Sequence, residues 1–162
     1  MLKKLFILIV AGFFLASCAA TKTEQGGDVD AASASSSSGG EITAGTQEDL
    51  IVNVGDRVFF EFDSSELTVD AQATLDAQAA WLMQYPDTNI TVEGHADERG
   101  TREYNLALGD KRAFSVYSYL AQAGVDTNRM EYVSWGKERP EVIGSDETAY
   151  SQNRRGVTLV SN

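Results

Sequence analysis

The apolar positions of the chain fall into two kinds of run, and each kind predicts a different element. Short runs rich in β-branched and aromatic residues are typical of strands. Longer runs with apolar residues three and four positions apart are typical of helices. The short runs lie at residues 57–62, 89–95, 131–135 and 156–160, and the long runs at residues 68–85 and 103–123.

Both helical stretches combine an apolar stripe with a stop signal. The stripe of the first is formed by Ala71, Leu75, Ala79 and Leu82, and that of the second by Leu106, Gly109, Ala113, Val116, Tyr117 and Leu120. The first helix should end before Pro86, because the residue preceding a proline is biased away from helical backbone angles. The second should end at Gly124, which suits the left-handed C-terminal cap of a helix.

The resulting element order is βαβαββ, which predicts an α+β fold. We expect a two-layer sandwich with the helices packed on one face of a mixed four-stranded sheet. About 110 residues follow Ile51, enough for one domain with a single core. The predicted domain therefore covers residues 51–162.

The N-terminal residues 1–17 read as an export signal. Lys3 and Lys4 lead into an apolar run from Leu5 to Leu15, and small residues follow. As a helix this run would be roughly 16 Å long, about half of the ~30 Å hydrocarbon core of a bilayer. We therefore expect the segment to be cleaved rather than to span a membrane.

Cys18 is the only cysteine of the chain, so it cannot form an internal disulfide. A free exported thiol is one interpretation. The stretch from Leu15 to Cys18 resembles a lipobox, however, and that resemblance implies cleavage before Cys18 and lipidation of this residue. Ala19 follows in place of the aspartate that usually signals retention in the inner membrane. The resemblance thus implies an outer-membrane anchor with the domain facing the periplasm.

Residues 18–50 have few large apolar side chains and many Ser, Gly and Ala residues, which predicts a flexible tether. Such a tether would have a root-mean-square span of about 30 Å and a taut reach of about 110 Å. Without residues 1–17 the chain keeps 11 basic and 24 acidic residues, a net charge of −13. Nucleic acid is therefore not an expected partner, and any anionic ligand must be bound by a few well-placed cations.

The candidate chemistry lies in residues 92–101, where a strand runs into a loop dense in charge and glycine. On the helix that follows, Asn105, Leu108 and Arg112 are three and four residues apart and share one strip. Asp97 and Arg112 can therefore face a common cleft. A purely structural Asp97–Arg112 salt bridge is the alternative.

Residues 58–160 resemble the OmpA-like peptidoglycan-binding domain family, and residues 132–140 and 151–155 are similar to its lipoprotein members. The helix pattern of that family is met by Asn105, Leu108, Arg112, Ala113, Val116 and Leu120. Gly109 departs from the family, where many members have Ser, and this departure puts helix stability in question more than binding.

The resemblance implies a binding site for the peptide stem of peptidoglycan, usually through meso-diaminopimelate. This residue carries an ammonium group and carboxylates. Asp97 would accept the ammonium, and Arg112 would donate two parallel hydrogen bonds to a carboxylate, which a lysine could not copy.

The same resemblance implies four further contributions to the site. Asn105 would hydrogen-bond the peptide, Leu108 would pack on the aliphatic chain of the ligand, and Arg155 would close the far side. The turn Phe62-Asp63-Ser64 would supply backbone N–H donors.

A wall-cleaving glycosidase that uses Glu93 with Asp97 or Glu98 is the second hypothesis. Nearby arginines disfavour it, because they would keep these carboxylates ionised. His95 as a zinc ligand is a third, but the chain has no second histidine and Cys18 is distant. We expect a buried or capping His95, no catalysis, no metal and no cofactor.

Porins and flagellar stators also carry domains of this family, but no second apolar run of about 20 residues follows the N-terminal one. The lipoprotein branch implies a place in the Tol system of envelope integrity and cell division. Its expected protein partners are the periplasmic propeller protein TolB and other Tol proteins.

Overall fold

The computed structural model of the chain describes residues 42–161. The helices are α1 (Gln47–Asn53), α2 (Val69–Gln84), α3 (Arg102–Gln122) and α4 (Glu147–Asn153), with a 3₁₀ turn at Thr127–Arg129. The strands are β1 (Arg57–Phe59), β2 (Ile90–His95), β3 (Met130–Gly136) and β4 (Arg155–Val160). The predicted export signal, Cys18 and the tether as far as residue 41 lie outside the described residues.

The four strands form one sheet in the order β1-β4-β2-β3. β2 and β3 are parallel, whereas β4 is antiparallel to both β1 and β2. The predicted α+β class and mixed four-stranded sheet are therefore confirmed. The predicted order βαβαββ was incomplete, because it lacked the seven-residue helices α1 and α4, which are too short to show a repeating apolar stripe.

Side-chain caps fix where the two long helices begin. The Thr68 hydroxyl accepts a hydrogen bond from the backbone N–H of Ala71, and the Thr101 hydroxyl accepts one from Tyr104. α2 ends at its C-cap Tyr85, directly before Pro86. α3 is followed by Gly124 with φ of 103°, so the predicted ends of both helices agree with the structure.

α1 moves the start of the folded domain to an earlier position than the predicted residue 51. Leu50 is fully buried in the core. The Asp49 carboxylate accepts hydrogen bonds from the indole N–H of Trp81 at 2.9 Å and from the backbone N–H of Gly45 at 2.8 Å. Residues 45–50, which were assigned to the tether, therefore contact the folded domain.

The core lies between the sheet and the long helices. It unites Leu75 and Leu82 of α2 and Val116 and Leu120 of α3 with Val58, Ile90 and Val92 of the sheet. Within residues 42–161 no helix is both long and apolar enough to cross a membrane.

Two glycines bring α3 unusually close to the sheet. A Cβ at Gly94 of β2 would overlap the backbone carbonyl of Gly109 on α3, and a Cβ at Gly109 would overlap the Ser134 hydroxyl of β3. A glycine at position 109 is thus required by backbone packing. The approach places the N-terminal half of α3 beside the end of β2, where the candidate site residues are.

Candidate ligand-binding cleft

A cleft opens where three segments meet: the turn after β1, the loop after β2 and the first turns of α3. Its walls are formed by Phe62, Asp63, Ala96, Asp97, Arg99, Gly100, Tyr104, Asn105, Leu108 and Arg112. The cavity volume of about 190 Å³ is below the roughly 300–1,000 Å³ of pockets that enclose drug-sized ligands. The cleft therefore suits one side chain of a larger ligand.

Arg112 forms the floor of the cleft and is fully buried. Its Nε donates to the carbonyl of Ser64 at 2.8 Å, one terminal nitrogen donates to the carbonyl of His95 at 2.8 Å, and the other donates to that of Glu61 at 3.1 Å. Arg112 thereby joins the turn after β1 to the end of β2. Burial lowers its pKa to about 10, so the guanidinium is still charged at neutral pH.

The three carbonyls leave part of the Arg112 guanidinium unused. A guanidinium has five N–H donors, so two are free of these contacts, one on each terminal nitrogen. Among residues 42–161, no carboxylate forms an ion pair with Arg112. The cleft is thus lined by a buried cation that has two N–H donors beyond these three contacts.

The Asp97 carboxylate pairs with Arg99 and Arg154, not with Arg112. Its Oδ2 lies 2.6 Å from Nη2 of Arg99 and 3.5 Å from Nη1 of Arg154. Its Oδ1 accepts from both the Nε and the backbone N–H of Arg99, each at 3.1 Å. Burial would raise the pKa of Asp97, but these hydrogen bonds outweigh it and hold the pKa below its usual value. Asp97 is therefore an ionised acceptor.

Asn105 and Leu108 line the cleft together with Asp97 and Arg112, as their spacing predicted. The buried Asn105 amide donates to the carbonyl of Arg99 at 2.8 Å, so it fixes the loop after β2. The strip of α3 formed by Asn105, Leu108 and Arg112 therefore faces the cleft.

The turn after β1 was expected to supply backbone N–H donors, and Phe62 and Asp63 of this turn line the cleft. Asp63 has φ of 53°, and its carboxylate accepts a hydrogen bond from the hydroxyl of Tyr104 on α3. The backbone N–H of Ser64 donates to the carbonyl of Glu61, so it is already used within the turn. Ser64 serves the site through its carbonyl, which orients Arg112.

Arg155 was expected to close the far side of the site, but it does not line the cleft. Its buried guanidinium donates to the carbonyls of Asn153 and Arg139 and lies 3.5 Å from the Glu141 carboxylate. It therefore packs against the loop that follows β3. A contact between Arg155 and the ligand stays a prediction.

Arg154, the preceding residue, approaches Asp97 but does not line the cleft. Its Nε donates to the carbonyl of Phe60 at 3.0 Å, and its terminal nitrogens lie 3.5 Å from Asp97 and 2.7 Å from Glu147. Successive side chains of an extended chain point to opposite sides, so the guanidinium groups of Arg154 and Arg155 have different surroundings. Arg154 had no other sequence signal than this alternation.

Arg99 and Tyr104 are cleft residues that the sequence analysis missed. Arg99 follows Asp97 by two positions, the spacing at which a carboxylate accepts from a nearby backbone N–H in a tight turn. Tyr104 lies in the first turn of α3, one residue before Asn105. Local turn chemistry and helix position could therefore have identified both residues.

Glu93 and His95, which the two alternative hypotheses invoke, do not line the cleft. The Glu93 carboxylate is 3.2 Å from Nε2 of His95 and 3.7 Å from Arg139, and it does not line the cleft. His95 is buried, and burial, reinforced by Arg155, lowers its pKa to about 4. No group of His, Cys, Asp or Glu side chains within residues 42–161 is arranged to hold a metal ion.

The sequence is similar to several curated proteins. It is 51% identical to the "Peptidoglycan-associated lipoprotein" of Rhizobium meliloti (strain 1021) over 95% of this chain and 85% of that protein. It is 56% identical to the protein of the same name from Brucella melitensis over 75% of this chain and 73% of that one. The crystal structure of the peptidoglycan-associated lipoprotein from Burkholderia pseudomallei matches with a TM-score of 0.64 and 44% identity, over 65% of this chain and 90% of that one.

The family assignment rests on the same part of the chain as the cleft. Residues 59–154, which include every residue that lines the cleft, match the OmpA family. With this match and the relatives above, the chain belongs to the OmpA family and, within it, to the group of the peptidoglycan-associated lipoproteins.

Proposed function

We propose that the cleft binds the peptide stem of peptidoglycan through the free end of a diaminopimelate residue. The chain would be anchored in the outer membrane by a lipidated Cys18, so that binding links this membrane to the cell wall. The names of the relatives support association with peptidoglycan.

The main support for this proposal is that Arg112 is buried and forms no ion pair with a carboxylate of residues 42–161. A buried cation is costly unless it is paired and hydrogen-bonded, and backbone carbonyls compensate it only in part. A ligand carboxylate would supply the missing anion and accept from the two free donors of Arg112. Charge-assisted hydrogen bonds of this kind contribute about 1.5–3 kcal/mol each.

Asp97 supports a ligand that carries both signs of charge. It lines the same small cleft as Arg112, and its depressed pKa keeps it anionic at neutral pH. The end of a diaminopimelate side chain has an ammonium and a carboxylate on one carbon, which matches an anion and a cation facing one cavity. The aliphatic part of the ligand would pack against Leu108.

The charge distribution favours recognition of one group over general adhesion to a polyanion. The chain has a formal net charge of −11, so long-range forces repel anionic polymers. Within the cleft region, by contrast, Arg99, Arg112 and Arg154 surround Asp97. Binding should therefore depend on the cleft and only weakly on overall charge.

We further propose that the chain binds the wall without cleaving it. A glycosidase needs a carboxylic acid that is protonated near neutral pH. Asp97 has a lowered pKa, and Glu93 lies beside His95 and does not line the cleft. Release of muropeptides from sacculi by the chain would contradict this part of the proposal.

Membership in the Tol system, with TolB and other Tol proteins as partners, is the remaining part of the proposal. It rests on the resemblance to the lipoprotein members of the family. Recovery of TolB with the full chain from cross-linked envelopes would support it. A control protein that carries an unrelated folded domain on the same lipid anchor should not recover TolB.

Cosedimentation with purified sacculi tests the proposed wall binding. The full chain, solubilised in detergent, should pellet with sacculi, whereas Asp97→Asn and Arg112→Lys should stay in solution. Asp110→Asn and Arg102→Lys change the same residue types at exposed positions of α3 and should pellet like the wild type. Folded Asp97→Asn or Arg112→Lys protein that pellets undiminished would contradict the site.

A further inference from the structure

Asp97 cannot receive an ammonium group in the geometry that the structure shows. Its side chain is only 6% exposed, because Arg99 covers it. The Nε and Nη2 of Arg99 contact the two carboxylate oxygens at 3.1 and 2.6 Å, in a two-bond arrangement. An arriving ammonium would find the position that it needs already filled by a cation of the protein itself.

Besides Asp97, the side chain of Arg99 contacts two partly exposed aromatic rings. It is 35% exposed and lies between the rings of Phe62 and Tyr150, at 4.2 and 4.3 Å from their centroids. Phe62 is itself 60% exposed. Ring contacts among such exposed groups are individually weak, so they add little to the cost of moving this side chain away from Asp97.

The other partners of Asp97 would stay in place if the Arg99 side chain moved. Arg154 is only 6% exposed and is tied to the carbonyl of Phe60 and to Glu147. The backbone N–H of Arg99 donates to Oδ1 of Asp97 independently of the side chain. Asp97 would therefore keep its orientation and one cationic neighbour.

A second anion is within reach of the Arg99 guanidinium. Nη1 of Arg99 lies 3.6 Å from a carboxylate oxygen of Glu147, which is 65% exposed. Arg99 can thus turn away from Asp97 towards Glu147 and solvent without losing every anionic partner. The exchange replaces one cation at Asp97 by another, so the carboxylate is never left unpaired.

We propose that Arg99 is a displaceable counter-ion, which fills the ammonium position at Asp97 in the free protein and leaves it when an amine-bearing ligand binds. This inference rests on the proposed function, whose ligand supplies the amine. It makes Arg99 a specificity-determining residue, because only a ligand with a cation of its own can take over Asp97. A ligand lacking the amine would have to leave Arg99 where it is.

The test compares two probes on the full chain in detergent. One is a stem tripeptide ending in diaminopimelate with a free side-chain amine, and the other is the same peptide with that amine acetylated. Because Arg99 competes with the amine, Arg99→Gln should bind the free-amine peptide roughly two- to fivefold more tightly than the wild type, the factor expected for losing one partly exposed ion pair. The acetylated peptide should bind both proteins equally and more weakly.

Two further variants separate displacement from other causes. Arg102→Gln removes the same charge from an exposed position three residues along, and should leave both affinities unchanged if general electrostatics is not the reason. Arg99→Lys keeps the charge but not the two-bond contact, and should bind with an affinity between those of the wild type and Arg99→Gln.

The side-chain N–H signal of Arg99 in an NMR titration reports the displacement itself. It should move towards the position of a solvent-exposed arginine as the free-amine peptide saturates the wild type, and stay in place with the acetylated peptide. Weaker or equal binding of the free-amine peptide by folded Arg99→Gln would overturn the inference while leaving the proposed function intact. Failure of the wild type to bind the free-amine peptide would overturn the proposed function and this inference with it.

Discussion

The Nε of Arg112 on α3 donates a hydrogen bond to the carbonyl of Ser64 in the turn after β1, at 2.8 Å. This contact joins two walls of the cleft that are 48 residues apart in sequence. The same guanidinium holds the carbonyls of Glu61 and His95. Arg112 is therefore both a proposed ligand-binding group and the residue that keeps the cleft in shape.

Arg112→Ala should consequently destabilise the domain as well as abolish wall binding. It would remove the Arg112 donors from the carbonyls of Ser64 and His95 and leave the carbonyl of Glu61 with only the N–H of Ser64. Each unsatisfied buried group costs about 1–3 kcal/mol. We expect the free energy of unfolding in urea to fall by roughly 3–5 kcal/mol. Arg102→Ala, at an exposed position of the same helix, should change it by less than about 1 kcal/mol. Equal stabilities of the two variants would contradict the bridging role of Arg112.

The double role also determines which variant tests binding. Arg112→Lys retains a positive charge but cannot reach three carbonyls with a planar fork, so it should lose binding at a smaller cost in stability. If Arg112 contacted only the ligand, Arg112→Ala would remove binding without changing stability. The hydrogen bonds of Arg112 to three backbone carbonyls show that this substitution also affects the fold.

Gly109→Ala should destabilise the domain although alanine favours helices. The added Cβ would overlap the hydroxyl of Ser134 and crowd the carbonyl of Gly94, and overpacking of this kind costs about 1–3 kcal/mol. The gain in helix propensity, about 1 kcal/mol, does not offset it. The midpoint of urea unfolding measures the effect, with Ala107→Ser on the exposed side of α3 as control. A Gly109→Ala protein as stable as the wild type would show that α3 can move off the sheet.

Asp49→Ala should destabilise the domain by roughly 1–3 kcal/mol, because it leaves the buried indole N–H of Trp81 unpaired. Hydrogen bonds to the carboxylate, first that from the backbone of Gly45, hold the pKa of Asp49 below its usual value. Glu48→Ala removes an exposed acid one position earlier and is the matched control. If both variants unfold at the same urea concentration, the domain does not depend on α1.

The stability of the domain should fall with pH between about 6.5 and 4 because of His95. Burial lowers its folded pKa to about 4, so in this window the unfolded chain binds a proton that the folded chain does not. Above pH 6.5 both states are neutral and the full stability is present. Between pH 7.5 and pH 5 the loss from this group should be roughly 2 kcal/mol.

His95→Asn provides the comparison for this pH dependence. Asparagine does not titrate, so the variant should lack the share of the stability change that comes from His95, while the buried carboxylates contribute equally to both proteins. Urea unfolding at pH 7.5 and pH 5 measures the difference. Parallel losses of stability in the wild type and in His95→Asn would show that His95 is protonated in the folded state.

The long elements could be predicted from sequence because their signals are repeated. α2 and α3 each span at least four turns of an apolar stripe with a threonine cap at the start, and the strands show β-branched and aromatic runs. α1 and α4 have seven residues each, so neither repeats a stripe often enough to be recognised. The buried apolar residue of α1 is Leu50 and that of α4 is Ala149, and a single apolar residue does not form a recognisable pattern in the sequence.

The cleft could be predicted only as far as its residues follow one another on α3 and at the end of β2. Asp97, Asn105, Leu108 and Arg112 line one cavity as expected. Arg155 does not line the cleft, and the sequence alone does not show which side of the chain this residue faces. The pairing of Asp97 with Arg99 depends on a loop conformation, which spacing on a helix does not reveal.

Titration of the full chain with a diaminopimelate-containing stem peptide, read by backbone and side-chain chemical shifts, tests whether the cleft is the ligand site. We expect saturable shifts centred on Asp97, Asn105 and Arg112 and on the turn after β1, and none in the Asp97→Asn variant. Absence of saturable shifts at these residues, or shifts confined to a surface remote from the cleft, would contradict this expectation.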